Sequence, residues 1–118
     1  MILDIHHAQI TIPKGAEDEA RAFYCALLGL KEIPKPEALA GRGGFWLEVG
    51  DRQVHVGTEG DVERSRTKAH VAYLVESIDG VVLGSEILGG VKENFLLDCS
   101  NNDGLHAGMR RLDLEEQV

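Results

Sequence analysis

Apolar and polar residues alternate along the first strand-length stretch of the chain. Between Ile5 and Ile12, Ala8, Ile10 and Ile12 fall on one side and His7, Gln9 and Thr11 on the other, the period-two pattern of a strand that buries one face. His6 shares the side of Ala8 and Ile10, which predicts a partly buried, satisfied ring. Pro13-Lys14-Gly15 ends the strand, and Glu17, Asp18 and Glu19 place negative charge in the first turn of a helix, where the macrodipole favours it. Ala20, Phe23, Tyr24, Leu27 and Leu28 then recur at helical spacing, with Gly29 as the stop. Leu30 to Pro36, broken by Pro34 and Pro36, can only be an edge strand or an irregular connection. Gly41-Arg42-Gly43-Gly44 reads as a flexible loop at a rim, without the strand-to-helix setting of a phosphate site. Phe45 to Val49 and Gln53 to Glu59 form a hairpin across Gly50-Asp51-Arg52.

The same order then recurs. Asp61 to Lys68 is a polar connection, and His70 to Val75 is a second strand opened by a histidine. A helix from Ile78 to Leu88 is weakened by Gly80 and Gly84, each costing about 1 kcal/mol against alanine. Phe95 to Cys99 is a strand, Ser100 to Gly104 a turn, and Leu105 to Leu112 a single final strand. Asp113, Glu115 and Glu116 make the tail a solvated end by composition.

Composition narrows the partners. A chain of 118 residues with 43% apolar content makes one domain, 1–118, with one module over about 1–60 and another over about 68–112. The net charge of -8 leaves no basic stripe to meet phosphates, which argues against nucleic acid and against anionic membrane surfaces. The start Met1-Ile2-Leu3-Asp4 lacks a basic leader, and no apolar run approaches the roughly 20 residues of a membrane span, so the expected location is cytoplasmic. Cys25 and Cys99 fit no metal spacing or disulfide framework and read as small buried residues.

Candidate chemistry sits on the polar faces. His55 shares a face with Gln53 and Glu59, as His7 does with Gln9 and Thr11, and neutral imidazoles on such faces suit a catalytic divalent ion. Glu59, a full pleat pair from His55, reads as a solvated strand end. Trp46 and Glu48 share a face beside Arg42, and an aromatic next to charge suits a small-molecule pocket as well as an outer sheet surface.

These residues carry a resemblance. His6-His7-Ala8-Gln9-Ile10-Thr11-Ile12, the Phe23-Tyr24 pair running into Leu28-Gly29-Leu30, Gln53-Val54-His55-Val56-Gly57 and Ala69-His70-Val71-Ala72 resemble the vicinal oxygen chelate superfamily. That group contains glyoxalase I, bleomycin-resistance proteins, fosfomycin-resistance enzymes and extradiol dioxygenases. The resemblance implies an α+β fold of two βαβββ modules forming a curved mixed sheet, with helices packed outside and the second module shortened. It implies a homodimer acting on a small-molecule ligand or substrate.

Metal-dependent members hold a divalent ion (Zn, Ni, Mn or Fe) with one ligand on the first strand and one near the last strand of each module. Carried over, these are His7, His55, His70 and a residue of the last strand. The family glutamate there lies four residues after a glycine, and counting from Gly104 reaches Gly108, so His106 is the substitute candidate. Gln9, Arg42, Trp46 and Glu48 complete the expected pocket. The implied activity is a metal-dependent lyase or dioxygenase acting on an oxygen-chelating substrate. The alternative, suggested by the absent glutamate, is a metal-free drug-binding or resistance protein of the bleomycin type.

Overall fold

The computed structural model describes residues 1–60, 71–76, 105–107 and 110–116. The chain divides into two compact units, Met1–Val62 and Glu63–Val118. In the first, the strands are β1 (His7–Pro13), β2 (Lys31–Ile33), β3 (Phe45–Val49) and β4 (Arg52–Glu59), ordered β1-β4-β3-β2. β1 runs parallel to β4, while β4 with β3 and β3 with β2 are antiparallel. With the helix between β1 and β2 this is a βαβββ module on a mixed sheet.

The alternation read from the sequence is the alternation of the sheet. Ile10, Ile12, Phe45, Leu47, Val54 and Val56 are buried on one face, together with Ala20, Phe23 and Tyr24 of the helix. The Arg21 guanidinium lies 4.8 Å over the Phe45 ring and bonds Glu32 of β2 at 2.6 Å, tying helix to sheet. The opposite face carries His7, Gln9 and Thr11 of β1, Gln53, His55 and Glu59 of β4, and Trp46 and Glu48 of β3, all placed by the ladder register. β2, bearing the prolines after it, is the sheet's edge, as the sequence requires.

Three local expectations change. The strand begins at His7, because His7 is the first residue with a partner, Gln53, on β4; His6 and Ile5 lie ahead of it and are exposed. His6 is therefore not the partly buried ring that strand phase predicted. The helix is α-helical over Glu17–Arg21 and widens to a π-helix over Ala22–Leu27, ending with Leu28 N–H on the Phe23 carbonyl at 3.0 Å and Gly29 N–H on the Cys25 carbonyl at 3.1 Å. Gly29, at φ 75°, is the left-handed stop foreseen. The supposed flexible glycine loop is partly a 3₁₀ turn, Glu37–Arg42, and its end is pressed on β4: a Cβ on Gly44, at φ 77°, would collide with the Val56 carbonyl.

The second unit has β5 (Val71–Val75), β6 (Leu105–Ala107) and β7 (Arg110–Glu116), ordered β5-β7-β6. β5 is parallel to β7 and β6 antiparallel to it, so the strand pairing of β1, β4 and β3 is repeated. Tyr73 is buried and the neighbouring Ala72 and Leu74 are exposed, in the phase of a one-faced strand. The expected single strand from Leu105 to Leu112 is instead two antiparallel strands, in which Leu105 itself faces Leu112. β7 also takes in much of the tail read as a solvated end. The connection 61–68, the helix 78–88, the strand 95–99 and Cys99 lie outside the described residues.

The paired registers give the two hairpins a common index. Val49 faces Arg52 in one and Ala107 faces Arg110 in the other, so His55 of β4 and Asp113 of β7 occupy the same place. His55 faces Gln9 across the parallel ladder, and Asp113 faces Ala72.

Candidate functional site

The polar face of the first sheet gathers three rings from three adjacent strands. Trp46 and His55 are directly opposite on β3 and β4, and their rings stack at 3.8 Å between centroids with an interplanar angle of 0°. His7 is diagonal to His55 across the parallel ladder, within the reach of rings on neighbouring strands, and stacks on its other side at 4.1 Å and 17°. The His55 ring is thus covered on both faces and the residue is only 6% exposed. Its Nε2 donates to the Gln53 carboxamide oxygen at 2.8 Å, which leaves the lone pair of the neutral ring on Nδ1. Burial pushes the His55 pKa below its ordinary 6.5, and the nearby His7 and His6 act in the same direction.

Space beside this column is shaped by glycine. Gln9 sits opposite His55, and a Cβ on neighbouring Gly57 would stand 2.8 Å from the Gln9 amide nitrogen, so the missing side chain makes room for that carboxamide. Glu48 is exposed on the same face, opposite Gln53. Arg42 is exposed in the 3₁₀ turn. Of the expected pocket residues, Gln9 and Trp46 are therefore the two that border His55 directly.

His6 adds a fourth ring. It meets His7 edge to face, with centroids 5.2 Å apart and planes at 84°, and their Nδ1 atoms are 2.9 Å apart. Sequence phase could not place it there, since successive strand residues point to opposite faces; only a residue ahead of β1 can fold its ring onto His7. A cleft of about 520 Å³ opens alongside, lined by Leu3, His6, Arg52 and Gln53 among others. Arg52 is held at its mouth by an ion pair with Asp4.

The donor set can be tested against a divalent ion. An imidazole lone pair lies in the ring plane, so the nearly parallel His7 and His55 rings direct theirs along separate planes and do not converge on one ion while stacked. Among the described residues no group of three or more His, Cys, Asp or Glu side chains gathers as a metal cluster. His70 and Gly108 lie outside the described residues. His106 is on β6, opposite Arg111, rather than on the last strand. Cys25, half-buried in the π-helical segment, is held as a thiol by burial, which raises its pKa.

No protein-family model and no curated protein sequence matches the chain. Solved structures do. A glyoxalase family protein from Bacillus anthracis is 32% identical and superposes with a TM-score of 0.73, over 100% of this chain and 98% of that one. The fosfomycin resistance protein FosX from Listeria monocytogenes shares the fold at 13% identity and a TM-score of 0.72, covering 100% and 94%. A structure of a single-residue mutant of FosX holds Mn(II) and 1S,2S-dihydroxypropylphosphonic acid. An integron cassette protein from V. cholerae matches at 14% identity and a TM-score of 0.63, over 100% and 98%. Among the described residues, no helix is long and apolar enough to cross a membrane.

Proposed function

Since the chain belongs to the glyoxalase family of the vicinal oxygen chelate superfamily, we propose that it is a divalent-metal-dependent lyase or related enzyme acting on a small substrate with adjacent oxygens. The observation that carries this reading is the imidazole cluster at the head of β1, where His7 is exposed and touches both His55 and His6. FosX, with the same fold, holds a metal together with a vicinal diol.

His7 is the ligand this reading requires from the first unit, and His70 and His106 remain its candidates from the second. The ion, when bound, supplies a Lewis acid for oxyanion character on the substrate. Gln53 holds His55 in one tautomer, and the Gln9 carboxamide, free to turn above Gly57, offers both a donor and an acceptor to substrate oxygens. Trp46 closes one side of the face and keeps water from His55. The second unit is, in this reading, the shortened second copy of the module, and the working form is a homodimer.

Metal analysis of untagged protein, followed by titration of the chelator-treated protein with Mn²⁺, Ni²⁺ and Zn²⁺, tests it. The expected result is stoichiometric binding lost in His7→Ala; absence of binding with all three ions would sink the reading.

One observation favours a metal-free binding protein instead. The Trp46, His55 and His7 rings form a stacked column without converging lone pairs, an aromatic lining that suits capture of a drug-like molecule. Equilibrium dialysis of metal-free protein against a bleomycin-type glycopeptide tests this reading, with retention weakened in Trp46→Ala as the expected result and no retention as the refuting one.

A further inference from the structure

We infer that His6 and His7 together form a bidentate Nδ1,Nδ1 chelate for a divalent transition ion, with His55 supporting the His7 ring from behind instead of binding the ion. This rests on the metal-dependent reading above and changes its ligand set.

The geometry of the two pairs differs in the respect that matters. His7 and His55 are stacked, so their in-plane lone pairs run side by side. His6 and His7 stand nearly perpendicular, and their Nδ1 atoms approach to 2.9 Å. With metal–nitrogen bonds of about 2.0–2.1 Å, that separation subtends about 90° at an ion. Such a bite suits the cis positions of an octahedral or square-planar site, and among ions that favour imidazole it selects Ni²⁺ over tetrahedral Zn²⁺. Without an ion, the same approach is a hydrogen bond between one Nδ1–H and the other ring's lone pair. Binding requires that both rings carry their proton on Nε2 and that the rings turn until the two Nδ1 lone pairs, which face each other in the hydrogen bond, converge on the ion.

The surroundings fit an exchangeable site. His6 and His7 are both exposed, and His6 also lines the cleft of about 520 Å³, so the pair is open to a small ligand. His6 is fixed from its backbone: its carbonyl accepts the Gln53 N–H at 3.3 Å, the bond that closes the first pair of the β1–β4 ladder, His7 with Gln53. The same Gln53 bonds the His55 ring, so one residue of β4 sets both the chelating pair and its backing.

Calorimetric titration of the full, untagged, chelator-treated chain with NiCl₂ decides the matter, with circular dichroism to verify the fold of each variant. His6→Ala and the more conservative His6→Gln should each weaken Ni²⁺ binding by at least about tenfold, the loss that removal of even an outer partner of a metal site brings. His55→Gln should change it by less than that. Preference for Ni²⁺ over Zn²⁺ should fall in the His6 variants, a readout that general destabilisation would not move. Binding that survives both His6 variants and is lost in His55→Gln overturns this ligand set while leaving the metal-dependent reading intact. No Ni²⁺ binding by the unaltered chain overturns both.

Discussion

His7 and His55 lie ring against ring, 4.1 Å between centroids, although their backbones sit at diagonal positions of a parallel ladder. Together with Trp46 on the other side, this contact makes His55 a buried base with its proton placed by Gln53. The stack costs the site flexibility and gives it a fixed tautomer.

A pH dependence follows from that burial. The folded-state pKa of His55 is depressed, chiefly by burial and further by His7 and His6, so the unfolded chain binds its proton more tightly than the folded one. Its neutral-state stability is therefore complete above the unfolded value of 6.5 and is lost as pH falls through the depressed folded value. Melting temperatures of chelator-treated protein should drop as the pH falls below 6.5 and level off once it has passed the folded value, and His55→Gln should flatten the drop. An equal acid sensitivity in His55→Gln would refute the assignment.

The core makes a second prediction. Leu47 is fully buried, at 0% exposure, between the helix and the sheet, and Leu47→Ala should destabilise by about 2–5 kcal/mol. Ile10→Val, at a site 1% exposed, removes one methylene and should cost about 0.5–1.5 kcal/mol. Urea unfolding of the two variants measures both, and equal midpoints would contradict the packing described.

Two glycines should respond differently to the same change. Gly44→Ala forces a left-handed backbone on alanine, which alone costs about 1–2 kcal/mol, and pushes a methyl into the β4 backbone. It should unfold at clearly lower denaturant than the parent.

Gly57→Ala meets only the tip of Gln9, which can swing away. Its stability should stay within about 0.5 kcal/mol of the parent, the usual range for substitutions clear of structural features. Ligand or metal binding on the polar face should nevertheless change, because the carboxamide is displaced. Parent-like binding in Gly57→Ala would show that Gln9 is a bystander.

Much of the first unit was legible in sequence because one-sided burial forces period-two alternation, which fixes the face of each residue. That is why Ile10, Leu47 and Val56 fall inward and His7, Trp46 and His55 together on the other side. Register is a different matter. Nothing local states that Gln53 pairs with His7, and without that pairing the His55 ring could not be set between Trp46 and His7. His6 escaped for the same reason, since its freedom depends on where β4 begins. The π-helical segment was hidden because Phe23 and Tyr24 satisfy helical spacing in either winding. In the second unit, Gly108, the place reached by counting from Gly104, lies outside the described residues.

The shared index of the two hairpins bears on how such a chain specialises. The indexed place holds histidine in one unit, His55, and aspartate in the other, Asp113, while the apolar residues on either side, Val54 and Val56 against Leu112 and Leu114, keep their sequence pattern. A repeated strand pairing of this kind separates the positions that keep an apolar pattern from the one that varies. Each half can change its chemistry by a single residue and leave the scaffold of the other untouched.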